Sequence, residues 1–347
     1  MDRKNSDDSA DSGVGAAREW VRTLANYRDP SHARSIFEIF ISAVPFLALW
    51  AAAWWALSIS YWLALAIAMV NGLFVVRLFI IQHDCGHAAF FRSRKAGDWV
   101  GRVLGVVTLT PYDVWKRSHL LHHNGSGNLD KRSLGGDVHT MTVDEYRALS
   151  PLRQLQYRMY RHPLILFGLG PSFIFFLTNR LPFGMFKSRK YWTSAMGTNV
   201  GIALILALII YFGGWQPVAL IFVPTTLVGA TLGIWMFYVQ HQFEDAQWDE
   251  DEGWDMHDAA LHGSSHYVLP QPLQWLTGNI GIHHVHHLYS RIPFYRLTEV
   301  LRDFPVLAEA QRLTIRESFA CVKLQLWDER ERKLLSYAQM KAAYGPV

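Results

Sequence analysis

The sequence is poor in cysteine. Of its 347 residues, only Cys85 and Cys321 are cysteines. Two isolated thiols are the wrong number and spacing for a disulfide framework or a thiolate zinc site. The sequence also shows no haem-attachment motif, no iron–sulfur cysteine set and no glycine-rich dinucleotide fingerprint. We therefore expect reducing surroundings and a metal held without sulfur if one is bound.

A strong excess of charge of one sign is also lacking. The 33 basic and 29 acidic residues leave a net charge of +4, which is too small and too scattered to indicate nucleic acid as a partner. Residues 1–15 are rich in Asp, Ser and Gly and lack the basic start and apolar core of a cleavable signal peptide. We interpret residues 1–35 as a partly disordered cytoplasmic tail.

Hydrophobic residues make up 50% of the chain and are concentrated in runs. Four runs approach the roughly 20 apolar residues that a membrane span needs: 37–57, 61–81, 198–212 and 218–238. The connections 58–60 and 213–217 contain no Lys or Arg, whereas basic residues flank the other ends of the runs. The positive-inside rule then places the N-terminus and all long segments in the cytoplasm. The sequence predicts an all-α integral membrane protein with two transmembrane helical hairpins.

Two shorter apolar runs, Trp99 to Leu109 and Pro163 to Thr178, fall outside these hairpins. We interpret both as interfacial or re-entrant helices, because a single crossing by either would separate the histidine clusters described next. From Arg291 onward, helical periodicity with mixed charges predicts a cytoplasmic helical cap. The predicted division is a membrane domain over 36–310 and a C-terminal helical extension over 311–347.

Histidines are grouped in three tight clusters. His83 and His87 are four residues apart, and the pattern His-x-x-His-His occurs twice, at His119, His122 and His123 and at His283, His286 and His287. Residues at i, i+3 and i+4 share a helix face, so each cluster is predicted to aim its imidazoles at one point. Imidazole is the commonest metal-binding side chain. Eight nitrogens exceed the set that one metal takes, which indicates two metals.

The order and spacing of these clusters, with one hairpin before the second and another before the third, resemble the membrane fatty acid desaturases. The flanking segments Trp115-Lys-Arg-Ser-His119 and Tyr238-Val-Gln-His241-Gln-Phe-Glu244-Asp245 resemble the same family, and the resemblance covers roughly residues 40–310. The four-residue step in the first cluster and a His, not a Gln, at position 283 are typical of the omega-6 (delta-12) type. The resemblance is to bacterial members.

The resemblance implies a di-iron centre that uses dioxygen and two electrons to introduce a cis double bond into a lipid-linked acyl chain, with no separate acid or base side chain. The implied site faces the cytoplasm from a bacterial inner membrane. The position of His241, just past the fourth span as His87 lies just past the second, independently supports its inclusion. The implied ligands are His83, His87, His119, His122, His123, His241, His283, His286 and His287.

Neighbouring residues receive other predicted roles. We expect His284 to lie behind the ligands or at the surface and Cys85 to be a packing residue. Ligating histidines usually donate their second N–H to a carboxylate or carbonyl; the candidates near in sequence are Asp84, Asp113, Asn124, Glu244, Asp245 and Asn279. The aromatic residues expected to anchor the chain at the bilayer surface are Trp54, Trp55, Tyr61, Trp62, Trp215 and Tyr238.

The expected partners are an acyl chain in an apolar tunnel and a separate ferredoxin or b-type cytochrome with its reductase. Basic residues that could receive an acidic donor are Lys116, Arg117, Lys131, Arg132, Arg291 and Arg296.

Two alternatives differ in chemistry. A di-iron membrane hydroxylase or ketolase acting on an alkyl lipid or carotenoid would share the same centre. A histidine-rich metal transporter or sensor would need ionisable groups inside the spans, where we count only Arg77.

Overall fold

The protein is largely helical. The structure, a computed structural model, describes residues 19–132 and 134–346. The helices are α1 (His32–Ala56), α2 (Tyr61–Gly86), α3 (Arg94–Val107), α4 (Tyr112–His123), α5 (Val143–Arg147), α6 (Pro151–Tyr160), α7 (Gly170–Phe176), α8 (Arg189–Gly213), α9 (Val223–His241), α10 (Met256–His262), α11 (Gln271–Leu276), α12 (His283–Leu288), α13 (Leu297–Asp303), α14 (Pro305–Glu309), α15 (Ile315–Cys321) and α16 (Tyr337–Tyr344).

Four helical segments in the described part of the chain are long and apolar enough to cross a membrane. They are His32–Ala56, Tyr61–Gly86, Arg189–Gly213 and Trp215–His241, and they confirm the four predicted spans and the helical membrane fold. The last segment includes a π-helical stretch, Val218–Phe222, ahead of α9. Helices α2 and α9 continue beyond the predicted apolar runs, to Gly86 and His241. Because they continue, both carry histidines on their final turns.

Helices α2 and α9 pack closely along small residues. A Cβ placed on Gly72 would lie 2.6 Å from the Val228 side chain, and one placed on Gly229 would lie 2.8 Å from Val75. Glycine at these two positions therefore lets the two backbones approach. This packing brings together the ends of α2 and α9, where His83 and His241 lie.

A buried ion pair joins α1 to α2. Glu38, within the first predicted span, accepts a hydrogen bond from Arg77, and both side chains are 1% exposed. The expectation that Arg77 is the one ionisable residue in the spans is wrong, because Glu38 is a second ionisable group within them. Arg77 also donates to the carbonyl oxygen of Trp275, and its guanidinium lies 3.9 Å from the Trp275 ring centroid. Through Arg77, the ion pair therefore connects helices α1 and α2 to α11.

Helix α3 has the two faces expected of an interfacial helix. Trp99 and Val103 are exposed on one side, while Gly97, Gly101 and Gly105 are buried on the other. A Cβ on Gly101 would lie 2.2 Å from the Tyr112 ring, so glycine at this position lets α4 pack closely against α3. The second short run forms a π-helical stretch, Leu164–Leu169, followed by α7, and the segment Leu164–Arg180 meets Pro151–Tyr160 at a bend of 51°.

The cap combines short helices with short strands. The strands are β1 (Met141–Thr142), β2 (His266–Val268), β3 (Arg312–Thr314), β4 (Leu326–Asp328) and β5 (Lys333–Leu335). Strand β4 lies between β1, which is parallel to it, and β5, which is antiparallel, while β2 and β3 form a separate parallel pair.

The C-terminal segment therefore differs from the predicted helical extension. Helices α15 and α16 are present there, but Leu334 lies in β5 opposite Trp327, and its N–H donates to the carbonyl oxygen of Glu244 at 3.0 Å. Pairing with Trp327 and the contact with the distant Glu244 carbonyl together override the local helical pattern.

The predicted N-terminal tail includes residues that pack against the rest of the protein. Residues 1–18 of the predicted tail lie outside the described residues. The following residues pack on the cap: Leu24 is fully buried, the Tyr27 hydroxyl donates to Asp303 at 2.7 Å, and the Trp20 ring meets Phe304 edge-on at 5.2 Å.

Candidate metal centre

Helix ends deliver all of the predicted histidine ligands to one place. His83 lies on the last turn of α2, and His87 is its C-cap. His122 and His123 end α4, His241 ends α9, and the third cluster lies on the six-residue helix α12. Each helix end thus supplies imidazoles beside its neighbours.

These nine histidines form two groups. In each group the candidate ligand atoms lie within 4.8 Å of one another, and no other His, Cys, Asp or Glu of the described residues belongs to either group. The first group is His83, His87, His119, His123 and His286, and the second is His122, His241, His283 and His287.

The expectation that each cluster aims at one point is wrong for the second and third clusters. His119 and His123 enter the first group, whereas His122 enters the second; on α12 the pair His283 and His287 enters the second and His286 the first. A helix turns by roughly 100° per residue, so i+4 lies about 40° to one side of i and i+3 about 60° to the other. Each His-x-x-His-His pattern therefore sends its outer pair to one group and its middle histidine to the other.

The ring nitrogens converge inside both groups. In the first, the Nε2 atom of His119 lies 2.9 Å from Nε2 of His87 and 3.1 Å from Nε2 of His123. In the second, Nε2 of His241 lies 3.0 Å from Nε2 of His283. A neutral ring carries a proton on one nitrogen only, so converging Nε2 lone pairs suit a shared cation. The donor set and its geometry fit one metal ion in each group.

The outward-facing nitrogens of three rings have acceptors. Nδ1 of His83 lies 3.2 Å from an Asp84 carboxylate oxygen, Nδ1 of His122 contacts Asp137, and Nδ1 of His241 lies 3.3 Å from the carbonyl oxygen of Gly263. Donation from Nδ1–H fixes the tautomer that leaves Nε2 free to bind a metal.

Burial keeps the rings outside the spans neutral. It lowers the pKa values of His119, His123 and His286 well below the usual value, and neighbouring histidines lower them further. The same causes lower the pKa values of His283 and His287. Neutral imidazole is the form that binds metal.

Asp84 is the predicted acceptor that contacts a ring, and it also accepts from the Phe294 N–H at 2.6 Å. Asp113 instead accepts from Arg102 at 2.9 Å, and Asn279 donates to the carbonyl oxygen of Phe294 at 3.1 Å.

Asp137, which contacts His122, was not among the predicted acceptors. The signal was the preceding Gly135–Gly136 pair: Gly135 has φ +76°, and a Cβ there would lie 2.4 Å from the His122 backbone nitrogen.

His284 and Cys85 are buried and lie outside both groups, as predicted for non-ligands. Nε2 of His284 donates to the carbonyl oxygen of Leu307 at 2.8 Å.

The expectation that Tyr238 anchors the bilayer surface is wrong. Its side chain is 1% exposed, and its hydroxyl donates to the carbonyl oxygen of Cys321 at 3.1 Å while it accepts from Arg161.

The two groups also restrict how the short apolar runs are placed. Because His87 and His119 touch, α3 between them does not cross a membrane alone. Because His122 and His241 lie in one group, an even number of crossings separates them. Two apolar helices, Arg189–Gly213 and Trp215–His241, already lie between them, so Leu164–Arg180 returns to the side on which it starts.

An apolar cavity of about 220 Å³ opens beside both groups. Its walls come mainly from α2 and α9, and His83, His119 and His283 lie at its metal end. Val75, on the lining, lies two helical turns from His83, or about 12 Å along the axis. The cavity therefore runs from the histidines down between the membrane helices.

Fold and site together define the class: a helical membrane protein with two buried polyhistidine groups at the end of an apolar cavity. The family model "Fatty acid desaturase" matches residues 60–319. The chain belongs to the fatty acid desaturase family and is an oxidoreductase, as predicted.

Named relatives agree with this family. A fatty acid desaturase of Bacillus subtilis is 39% identical over 324 residues, covering 93% of this chain and 92% of the relative. An sn-1 oleoyl-lipid 12-desaturase of Anabaena variabilis is 25% identical over 280 residues, covering 70% and 69%. An sn-1 acyl-lipid omega-3 desaturase (ferredoxin) of Synechocystis is 26% identical, covering 70% and 68%.

Proposed function

We propose that this desaturase introduces a cis double bond at the omega-6 (delta-12) position of a lipid-linked acyl chain, with dioxygen and two electrons, at two iron ions. The observation that carries this proposal is the contact between the apolar cavity and both histidine groups. One cavity presents the same stretch of an acyl chain to two metal positions.

The two iron ions would be held by the five histidines of the first group and the four of the second. Bound iron would supply, with dioxygen, the oxidising power that removal of hydrogen from an unactivated methylene needs and that side chains lack. The protein's part is to fix the rings and to exclude water. Asp84 and Asp137 hold the ligand tautomers, and burial keeps the rings unprotonated.

The cavity supports an acyl substrate. Its lining surface is mainly apolar, and it lies between helices that can cross a membrane. A lipid-linked chain can therefore pass from the bilayer into the cavity without exposing its methylenes to water. One relative is named for oleoyl-lipid and another for acyl-lipid, which supports a lipid-linked chain. The omega-6 position rests on the spacing of the first cluster and on His283.

A separate electron donor completes the proposal, and one relative is named with ferredoxin. Four of the six predicted docking residues are engaged in ion pairs: Lys116 with Asp98, Lys131 with Asp251, Arg132 with Glu145 and Arg296 with Glu299. Arg117 and Arg291 are exposed and have no ion pair within the described residues.

We assign the docking of an acidic donor to Arg117 and Arg291. Charge reversal at both positions should slow electron transfer from reduced ferredoxin and weaken its salt dependence. An unchanged rate would remove this part of the proposal.

The location is proposed as a bacterial inner membrane with the site at the cytoplasmic face. Arg92, Arg94 and Lys95 follow α2 on the histidine side, which supports this orientation. Labelling of a cysteine introduced at Arg94 by a membrane-impermeant reagent, in intact cells and in inverted vesicles, tests it. Labelling in intact cells would contradict it.

The activity is tested by expression in a host that lacks polyunsaturated lipids, followed by mapping of the double bonds. We expect a diunsaturated chain with its new bond at the omega-6 position, two hydrogens lighter than its precursor. A product that is heavier by one oxygen would favour the hydroxylase alternative. The inactive control is His286→Ala.

A further inference from the structure

Each histidine group has an aromatic residue packed against it, four residues before one of its histidines. Trp115 precedes His119 on α4, and its ring stacks on that imidazole at 4.7 Å with 15° between the planes. Phe237 precedes His241 on α9, with the two ring centroids 5.5 Å apart. The spacing i to i+4 places each aromatic ring directly above a histidine on the same helix face.

Both aromatic rings also contact a second histidine of the same group. The Trp115 ring lies 5.8 Å from His83, in the first group. The Phe237 ring lies 4.8 Å from His122, in the second group. Each histidine group therefore has one aromatic ring that contacts two of its imidazoles.

Trp115 and Phe237 line the same cavity, together with His83 and His119. Both side chains are half-buried, with one surface against the imidazoles and another toward the cavity. A chain that enters this cavity meets both rings where it meets the histidines. Aromatic side chains supply large, rigid, apolar surfaces with few rotatable bonds.

Trp115 is held in its position from two sides. Phe79 meets its ring edge-on at 5.3 Å. On another side, a Cβ added at Gly86 would lie 2.9 Å from the indole carbon Cζ3. Gly86 is helical in α2, so alanine there is compatible with the backbone but not with the indole in its present place.

From these contacts we infer that Trp115 and Phe237 form an aromatic pair that sets which methylene of the substrate faces the metal positions. This inference rests on the proposed function. The methylenes of an acyl chain offer no hydrogen bonds, so the shape of the cavity must stop the chain from sliding by one carbon. Reaction geometry must be held within about 0.5 Å, and two rings fixed on the ligands define that position directly.

The test compares products of the membrane-bound, iron-loaded enzyme and its variants by double-bond mapping. Trp115→Leu and Phe237→Leu should each spread the new bond over adjacent positions, raising minor positional isomers at least tenfold, with iron content retained. Trp115→Phe should keep the wild-type position. The matched control is Phe319→Leu, an exposed aromatic residue outside the cavity, which should leave the bond position unchanged.

Gly86→Ala provides a second route that leaves Trp115 itself intact. We expect it to shift the bond position in the wild-type background and to add nothing in the Trp115→Leu background, because its effect passes through the indole. This variant also keeps the inference testable if Trp115→Leu does not fold.

These measurements distinguish failure of the proposed desaturase function from failure of the aromatic pair. A wild-type enzyme that forms no double bond overturns the proposed function and this inference with it. A wild-type enzyme that desaturates, while Trp115→Leu, Phe237→Leu and Gly86→Ala all retain a single position, overturns the aromatic pair alone. An equal shift in Phe319→Leu would also overturn it.

Discussion

The imidazole of His122 contacts the Asp137 carboxylate through Nδ1, while its Nε2 faces the second histidine group, 3.1 Å from Nε2 of His287. The carboxylate side chain is 9% exposed and the imidazole is fully buried. Asp137 thus fixes both the tautomer and the orientation of a ring that points at a metal position.

Replacement of Asp137 should therefore weaken the second metal position. Loss of such a partner typically costs 10–100-fold in metal affinity or activity, and we expect Asp137→Ala to fall in that range. Iron content and turnover of purified protein are the measurements. Asp113→Ala is the control, because Asp113 pairs with Arg102 and contacts no ring of either group in the described structure. Equal iron loss in both variants would contradict the role of Asp137.

Removing one histidine from each group should separate the two metal positions. His286→Ala leaves four histidines in the first group and His122→Ala leaves three in the second. We expect both variants to insert in the membrane, to lose activity and to bind less iron, with the larger loss of iron in His122→Ala. Full activity in either variant would refute its assignment as a ligand. His284→Gln is the control, because His284 is buried but lies outside both groups.

Acidification should release the metal and loosen the site. Burial lowers the folded-state pKa values of His119, His123, His283, His286 and His287, so the unfolded chain binds more protons once the pH falls below the unfolded value of about 6.5. The stability from these neutral rings is fully present above that pH and declines as the pH falls toward the folded values.

We expect iron retention and thermal stability to fall together between about pH 6.5 and pH 5. His262 is a contrast, because its hydrogen bond to the Asp258 carboxylate raises its pKa and it lies outside the site. His262→Gln should leave the acid transition in place. Iron retention that is constant across this range would contradict the prediction.

Local sequence pattern accounts for the spans and for the nine histidines, because both depend on residues close together in the chain. Three other features depend on contacts between distant segments. The division of each His-x-x-His-His pattern between two groups depends on how α4 and α12 face each other, Asp137 reaches His122 through a glycine turn, and β4 lies between strands from two parts of the chain. Helix periodicity separates i+3 from i+4 within each pattern, but it does not show which histidines of the two helices meet. The glycine pair marks a turn before Asp137 without showing which ring the turn faces.

Two glycines of α9 that look equivalent in the sequence differ in the space around them. Both Gly229 and Gly233 line the cavity. A Cβ on Gly229 would meet Val75 at 2.8 Å, whereas one on Gly233 would meet nothing within 4 Å. Gly229 is therefore needed for helix packing, and Gly233 leaves space for the substrate.

We expect Gly233→Val to fold normally but to disfavour long chains, because its side chain takes space that methylenes would fill. A long chain in the narrowed cavity is overpacked, which costs about 1–3 kcal/mol, or roughly a fivefold loss or more in relative kcat/KM at about 1.36 kcal/mol per tenfold. Gly229→Ala should instead lower the thermal stability, since it forces α2 and α9 apart. Competition between acyl chains of different length, with melting temperatures of both variants, distinguishes the two glycines. If Gly233→Val melts early and keeps the wild-type chain preference, position 233 serves packing and does not set the width of the cavity.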